Sequence, residues 1–319
     1  MLKLYSKDTL VSSIDAMKQS GRLAHAFLLT GERGVGKKVS AKYIAMTLLC
    51  ENGSACGECR HCRRILEGSH PDVIYPEKSG KKQIYSADTM REICTDAYVS
   101  PNDCDAKIYI FSDCQDIEER TQNFLLKLIE EPPDAAYFIF TAESRSVFLP
   151  TILSRVISIG IPECSTADCK TVLADMGYTA EQIDEAVSCF HGNIGSCTDY
   201  LNGGPTAENV RLCRSIVEAI CNNDEYGLLT ALHNIGEDRK KVRLILELVD
   251  KVIRDACVMR ISTASLIGCD PNGAEQLSKK ISTHRAEIIH EAIARTISRC
   301  GINMNVPPEM AAFVCTVMG

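Results

Sequence analysis

The eight residues Gly31-Glu32-Arg33-Gly34-Val35-Gly36-Lys37-Lys38 constrain this chain more than any other segment. They match Gly-x4-Gly-Lys, a loop whose glycines let backbone N–H groups cradle phosphates and whose lysine reaches the β- and γ-phosphates. The apolar run His25 to Thr30 reads as a short buried strand entering the loop, and Val39 to Leu49 as the helix leaving it. A loop of this type between strand and helix implies a parallel α/β sheet with the phosphate site at a strand's carboxyl end.

The loop departs from its pattern at one position: Lys38 stands where a Ser or Thr hydroxyl ordinarily holds Mg²⁺. A second departure follows the strand Lys107-Ile108-Tyr109-Ile110-Phe111, which is continuously apolar after its first residue. Such a strand in a P-loop ATPase ends in an aspartate for the metal and an acidic residue that orients water, whereas this chain has Ser112-Asp113. Neither Lys38 nor Ser112 replaces the missing oxygen ligand, so hydrolysis is not expected. Two readings of the loop stay open, a site that holds nucleotide without hydrolysing it and a relic that caps the helix. Asp113 likewise reads either as a remnant of the acidic pair or as an N-cap of the next helix.

Strands and helices alternate to about residue 160. Gly68 ends a helix, Pro71 starts an extended run toward Tyr75, and Ser86 caps an amphipathic helix from Ala87 to Tyr98. Lys78 to Lys82 reads as a solvated turn with a basic end, or as a nucleic-acid or partner contact. A helix from Glu118 to Ile129 stops at Glu130-Glu131-Pro132-Pro133, and Tyr137 to Ala142 is the next buried strand. Beyond Pro162 the pattern is helical: Thr166 to Met176, Ala180 to Phe190 with Thr179 as N-cap, and Ile194 to Leu201. Asn202-Gly203-Gly204-Pro205 reads as a linker, and patterns such as Lys240 to Ser262 and Ala274 to Arg299 predict a separate helical bundle. The expected divisions are therefore 1–162, 163–204 and 205–319.

Composition matters chiefly for the compartment. The chain has 319 residues, 45% of them hydrophobic, and a net charge of −7, so it is not as a whole an electrostatic nucleic-acid binder. No signal-like apolar core follows Met1, and no run approaches about 18 apolar residues, which leads to the expectation of a soluble cytoplasmic protein. Most of the 17 cysteines, among them Cys94, Cys189, Cys213, Cys221, Cys257 and Cys300, lie singly in apolar helical surroundings and read as small buried hydrophobes.

Cys50, Cys56, Cys59 and Cys62 differ in their spacing, Cys-x5-Cys-x2-Cys-x2-Cys. Two intervening residues turn two thiolates onto one ion, and Gly53 and Gly57 supply bends, so a structural Zn²⁺ with four sulfur ligands is the expected occupant. His61 as a substitute ligand, free thiols, and an iron–sulfur cluster are the other readings, but the surrounding sequence is not a ferredoxin run.

Several further motifs act together: Arg22-Leu23-Ala24-His25-Ala26, Gly68-Ser69-His70-Pro71-Asp72, Asn123-Phe124-Leu125-Leu126-Lys127-Leu128-Ile129-Glu130-Glu131-Pro132-Pro133, and Leu153-Ser154-Arg155. With the loop and the inserted cysteines they resemble the bacterial clamp-loader family of DNA polymerase III along essentially the full length, and the damaged nucleotide site resembles its delta-prime branch. The resemblance implies an α/β AAA+ P-loop domain with an inserted zinc knuckle, a small helical lid and an all-α C-terminal collar. Gly31, Gly34, Gly36 and Lys37 would form a vestigial or non-hydrolytic phosphate loop. Arg155 matches the arginine of the family's Ser-Arg-Cys motif, which reaches a neighbouring subunit's γ-phosphate; Val156 replaces the motif's cysteine. Thr141 matches a polar sensor position, and Gly195 occupies the place of a phosphate-contacting arginine. The implied partners are gamma/tau-like ATPase subunits, a delta subunit and, through the complex, the sliding clamp and primed DNA. An active ATPase, with Asp113 recruiting Mg²⁺ unaided, is the alternative. A DNA-reading zinc finger is weakened by the acidic charge and by a helix offering only Arg63 and Arg64 after Cys62.

Overall fold

Parallel strands are stable only when both faces of their sheet are covered, and the strand sequences here are apolar on both. The computed structural model describes residues 4–21, 23–80, 84–261, 266–300 and 304–319. Arg22, Lys81, Lys82 and Ser262, which entered the sequence readings, lie outside the described residues. The strands β1 (Ala26–Thr30), β2 (Val73–Ile74), β3 (Lys107–Phe111), β4 (Ala136–Ala142) and β5 (Ile157–Gly160) form one parallel sheet in the order β2-β3-β4-β1-β5.

Strand alternation divides the core in two. Phe27, Leu29, Ile108, Ile110 and Ile139 pack with α1 (Asp8–Gln19), α2 (Lys37–Leu49) and α3 (Arg60–Glu67). Leu28, Tyr109, Phe111, Phe138 and Phe140 pack with α4 (Ala87–Asp96), α5 (Glu119–Glu130) and α6 (Pro150–Leu153). On that second face Tyr109 stacks on Phe138 at 5.3 Å and Phe111 on Phe140 at 4.9 Å. Burying each such side chain contributes about 1.5–3 kcal/mol, enough to fix which face of each strand meets which helices.

The chain divides into two compact units, Met1–Ser165 and Thr166–Gly319. The second contains α7 (Thr166–Asp175), α8 (Ala180–Phe190), α9 (Ile194–Leu201), α10 (Pro205–Asn222), α11 (Glu225–His233), α12 (Arg239–Val258), α13 (Pro271–Lys280), α14 (Thr283–Cys300) and α15 (Val306–Met318). Thr179 and Gln182 form a reciprocal capping box that starts α8. Pro205, expected in a linker, is instead the first residue of α10, where its missing N–H costs nothing.

Two helix expectations need correction. The run from Ala274 to Arg299 is not one helix: α13 and α14 are separated by Ile281, which is extended and buried, and by Ser282, whose hydroxyl accepts the Arg285 N–H. A core contact and a local cap override the continuous periodicity there. The run from Lys240 stops at Val258. The chain beyond α12 is held by Asp255, only 1% exposed, which accepts the N–H groups of Ile267 and Gly268 and pairs with Arg254.

Candidate functional site

The loop between β1 and α2 takes its shape from its glycines. Gly31 has φ 153°, and a Cβ there would meet the Ile161 carbonyl oxygen at 2.4 Å, so no larger residue fits the close approach of β5. Gly36 holds φ 93° immediately before α2. Lys37 is 6% exposed and its ammonium donates to the Gly31 and Glu32 carbonyls, both at 2.7 Å, within the loop itself. Burial lowers the Lys37 pKa, against the opposing pull of Glu143, Asp113 and Glu32.

Lys38 projects across the same loop and forms an ion pair with Asp113 at 2.8 Å. Asp113 therefore does not cap a helix with its side chain, a correction to one of the two sequence readings. It has φ 53° before the short 3₁₀ turn Cys114–Asp116 and makes no side-chain cap. Its N–H donates to the Thr141 hydroxyl at 2.9 Å, tying the ends of β3 and β4 together. Lys78 donates to the Asp113 carbonyl at 2.6 Å. Burial acts to raise the Asp113 pKa, but the hydrogen bond and charge of Lys38, with Lys78 and Lys37 behind it, bring it below its ordinary 3.8. Ser112 offers its carbonyl to the Tyr85 hydroxyl at 2.8 Å.

Arg155 follows α6 and remains partly exposed. Its guanidinium donates to the Thr151 carbonyl and Ser154 hydroxyl and pairs with Glu130 at 3.0 Å. Gly195 lies in α9, in the second unit, where it has no side chain to reach any ligand.

The four cysteines gather at the opposite end of α2. Cys50 closes that helix, Cys59 caps α3 by accepting the Cys62 N–H, and Gly53 and Gly57 take left-handed φ of 73° and 76° between them. Sulfur separations are 3.5 Å for Cys50–Cys56 and 3.9 Å for both Cys56–Cys62 and Cys50–Cys59. A tetrahedron with metal–sulfur bonds of about 2.3 Å has edges of about 3.8 Å, so the four sulfurs have the spacing needed to hold one metal ion. N–H groups of Cys59 and Glu58 point at Cys56 Sγ and bring its pKa down to about 6, while burial pushes the Cys62 thiol up.

Beside this knuckle the structure assembles a group that spacing did not reveal. His61 Nδ1 lies 2.9 Å from His70 Nε2, and Cys104 Sγ lies 3.2 Å from His61 Nδ1. The ligand atoms are close enough to hold a metal. The hydrogen bonds favour another use: the Asp72 N–H donates to His70 Nδ1, so His70 carries its hydrogen on Nε2 and donates it to His61, whose own Nε2 faces Glu51 at 3.4 Å. Asp72 is fully buried and accepts the N–H groups of Asn102, Asp103 and Cys104. The Gly68 to Asp72 motif thus anchors the loop before β3 to the knuckle. His70 was legible only as part of a motif, and Cys104 gave no sequence signal.

A glycine loop closing on a helix N-terminus, at the carboxyl end of a central strand in a parallel sheet, defines the P-loop class of α/β proteins. A family model described as DNA polymerase III, delta subunit, matches residues 6–165. The chain belongs to that family, a clamp-loader family, as its motifs had suggested. It is 26% identical over 255 residues to a DNA polymerase III subunit gamma of Buchnera aphidicola, covering 76% of this chain and 70% of that one. It is 24% identical over 269 residues to the Escherichia coli subunit delta', covering 82% and 80%. A Pseudomonas aeruginosa subunit delta' is 30% identical over 142 residues, covering 44% and 43%. No helix among the described residues is long and apolar enough to cross a membrane.

Proposed function

We propose that this chain is a delta-prime-like clamp-loader subunit that does not hydrolyse ATP and donates Arg155 to the nucleotide of a neighbouring ATPase subunit. Its relatives include both gamma and delta-prime subunits, so kinship leaves the choice to the residues of the site. The observation that carries the reading is the Lys38–Asp113 ion pair at 2.8 Å. A lysine ammonium sits on the carboxylate that an active site would turn toward a metal-bound phosphate, and Ser112 brings no second carboxylate. An active ATPase would have to expel that ammonium before Asp113 met Mg²⁺.

In this reading Met1 to Pro162 form an AAA+ module, α7 to α9 a lid, and α10 to α15 a collar that joins gamma/tau-like and delta subunits. Assembled, the complex would place the sliding clamp on primed DNA. Arg155 is suited to its role because, among the described residues, the partners of its guanidinium are exposed or partly exposed, and a γ-phosphate can outcompete them. It would stabilise the charge that develops on the phosphoryl group. The four thiolates would hold Zn²⁺, which when bound cross-links the end of α2 to the start of α3 and leaves no open coordination position.

The test is reconstitution with the partner ATPase and delta subunits. Arg155→Ala should lower the partner's turnover by about 10³-fold or more, with the complex still assembled by gel filtration. Unchanged partner turnover would sink the trans role, and Mg²⁺-dependent turnover by the isolated chain, abolished by Lys37→Ala, would sink the non-hydrolytic reading.

A further inference from the structure

We propose that the loop binds the diphosphate of a nucleotide or of free pyrophosphate without a divalent cation, Lys38 serving in place of Mg²⁺. The proposal deepens the non-hydrolytic reading above and rests on it. In a metal-dependent loop the cation bridges phosphate oxygens to a carboxylate across the mouth of the site. Here that bridge already has its carboxylate end: Lys38 Nζ lies 2.8 Å from Asp113. An ammonium has three N–H donors, so two remain for phosphate oxygens after Asp113 has taken one.

The surroundings suit an anion. Lys37, Lys38 and Lys78 converge on Asp113: Lys38 on its carboxylate, Lys78 on its carbonyl at 2.6 Å, and Lys37 near enough to help bring its pKa below 3.8. Glu32 and Glu143 also act on Lys37, but both are exposed at the rim, and among the described residues the Lys37 ammonium hydrogen-bonds to the loop carbonyls of Gly31 and Glu32. Exchanging those two neutral acceptors for anionic phosphate oxygens strengthens the hydrogen bonds of a buried ammonium. A magnesium ion, by contrast, would have to displace Lys38 and would find no aspartate at Ser112. The same geometry that removes the metal therefore retains the means to hold a diphosphate.

The experiment is isothermal titration of the full chain with ADP and, separately, with inorganic pyrophosphate, each in EDTA and in Mg²⁺. ADP affinity in EDTA should stay within about twofold of that in Mg²⁺, and Lys38→Ala should weaken it by about tenfold or more in EDTA. Lys38 is exposed on α2, so this variant should keep its fold, which circular dichroism checks. ADP binding tighter than pyrophosphate identifies a nucleotide as the source, and equal affinity identifies the free anion; both support a diphosphate site. Binding of ADP only with Mg²⁺, or binding of neither anion, overturns the proposal. In the first of these cases Mg²⁺-dependent turnover of added ATP by the same chain would overturn the non-hydrolytic reading too; without turnover, or with no binding, that reading stands and only the metal-free site falls.

Discussion

One helix separates two sites of opposite character. The phosphate loop lies at the N-terminus of α2 and the cysteine knuckle at its C-terminus, 13 residues and so about 20 Å apart. At the first end the N–H groups and the helix dipole favour an anion; at the second the carbonyls favour a cation, and Lys18 donates to that of Thr47 at 2.6 Å. The ligand sets follow that polarity. The loop sets the Lys38 ammonium against Asp113, whereas the knuckle gathers four sulfurs at metal-binding spacing. They also differ in how they are bound into the fold. Cys50 and Cys62 are buried in the core, but the Lys38–Asp113 pair is largely exposed. A substitution at the exposed pair therefore disturbs the scaffold less than one at Cys50 or Cys62, whose side chains are part of the core.

This contrast breaks most easily at the knuckle. Cys62→Ala should abolish binding of one metal ion per chain and lower the unfolding free energy by about 5 kcal/mol or more, since structural metal sites couple ligation to folding. Metal analysis together with denaturant unfolding checks this, and an unchanged midpoint would mean that the sulfurs are only core thiols. A smaller loss, about 3 kcal/mol, is expected for Asp72→Ala, which removes the buried carboxylate that accepts the N–H groups of Asn102, Asp103 and Cys104.

Asp72 also predicts a pH dependence. Burial acts to raise its pKa, yet the hydrogen bonds from Asn102, Asp103 and Cys104 outweigh burial and hold it below 3.8. Its stabilisation is therefore complete above that value and is lost as pH falls beneath it through the lower native pKa. Acid unfolding of Asp72→Asn beside the unaltered chain should show this component missing from the variant. The smallest effect belongs to the loop: Lys38→Ala should change stability by less than about 1 kcal/mol, because an exposed pair contributes little. A larger loss in thermal unfolding would mean that the pair is structural, and would sharpen the comparison in the other direction.

The sheet was legible because buried parallel strands leave unbroken apolar runs, and β1, β3 and β4 fall within a residue of the runs that announced them. Two-residue β2 was visible only as an extended stretch after Pro71, and β5 carries exposed Ile157, so neither has a strong pattern of its own. The boundary between α13 and α14 was hidden because Ile281 keeps the apolar rhythm while its backbone leaves the helix.

Local sequence determined what depends on near neighbours: the glycine loop, the capping box at Thr179, the cysteine spacing, and the absence of a hydroxyl at Lys38 and a carboxylate at Ser112. Tertiary structure alone decided what those residues meet. It brought Asp113 to Lys38, Glu130 to Arg155, and Cys104 to His61 across 43 positions. The physical reason is that hydrogen-bond and ion-pair partners are chosen by which strand ends the sheet order sets side by side, and no periodicity along the chain encodes that order.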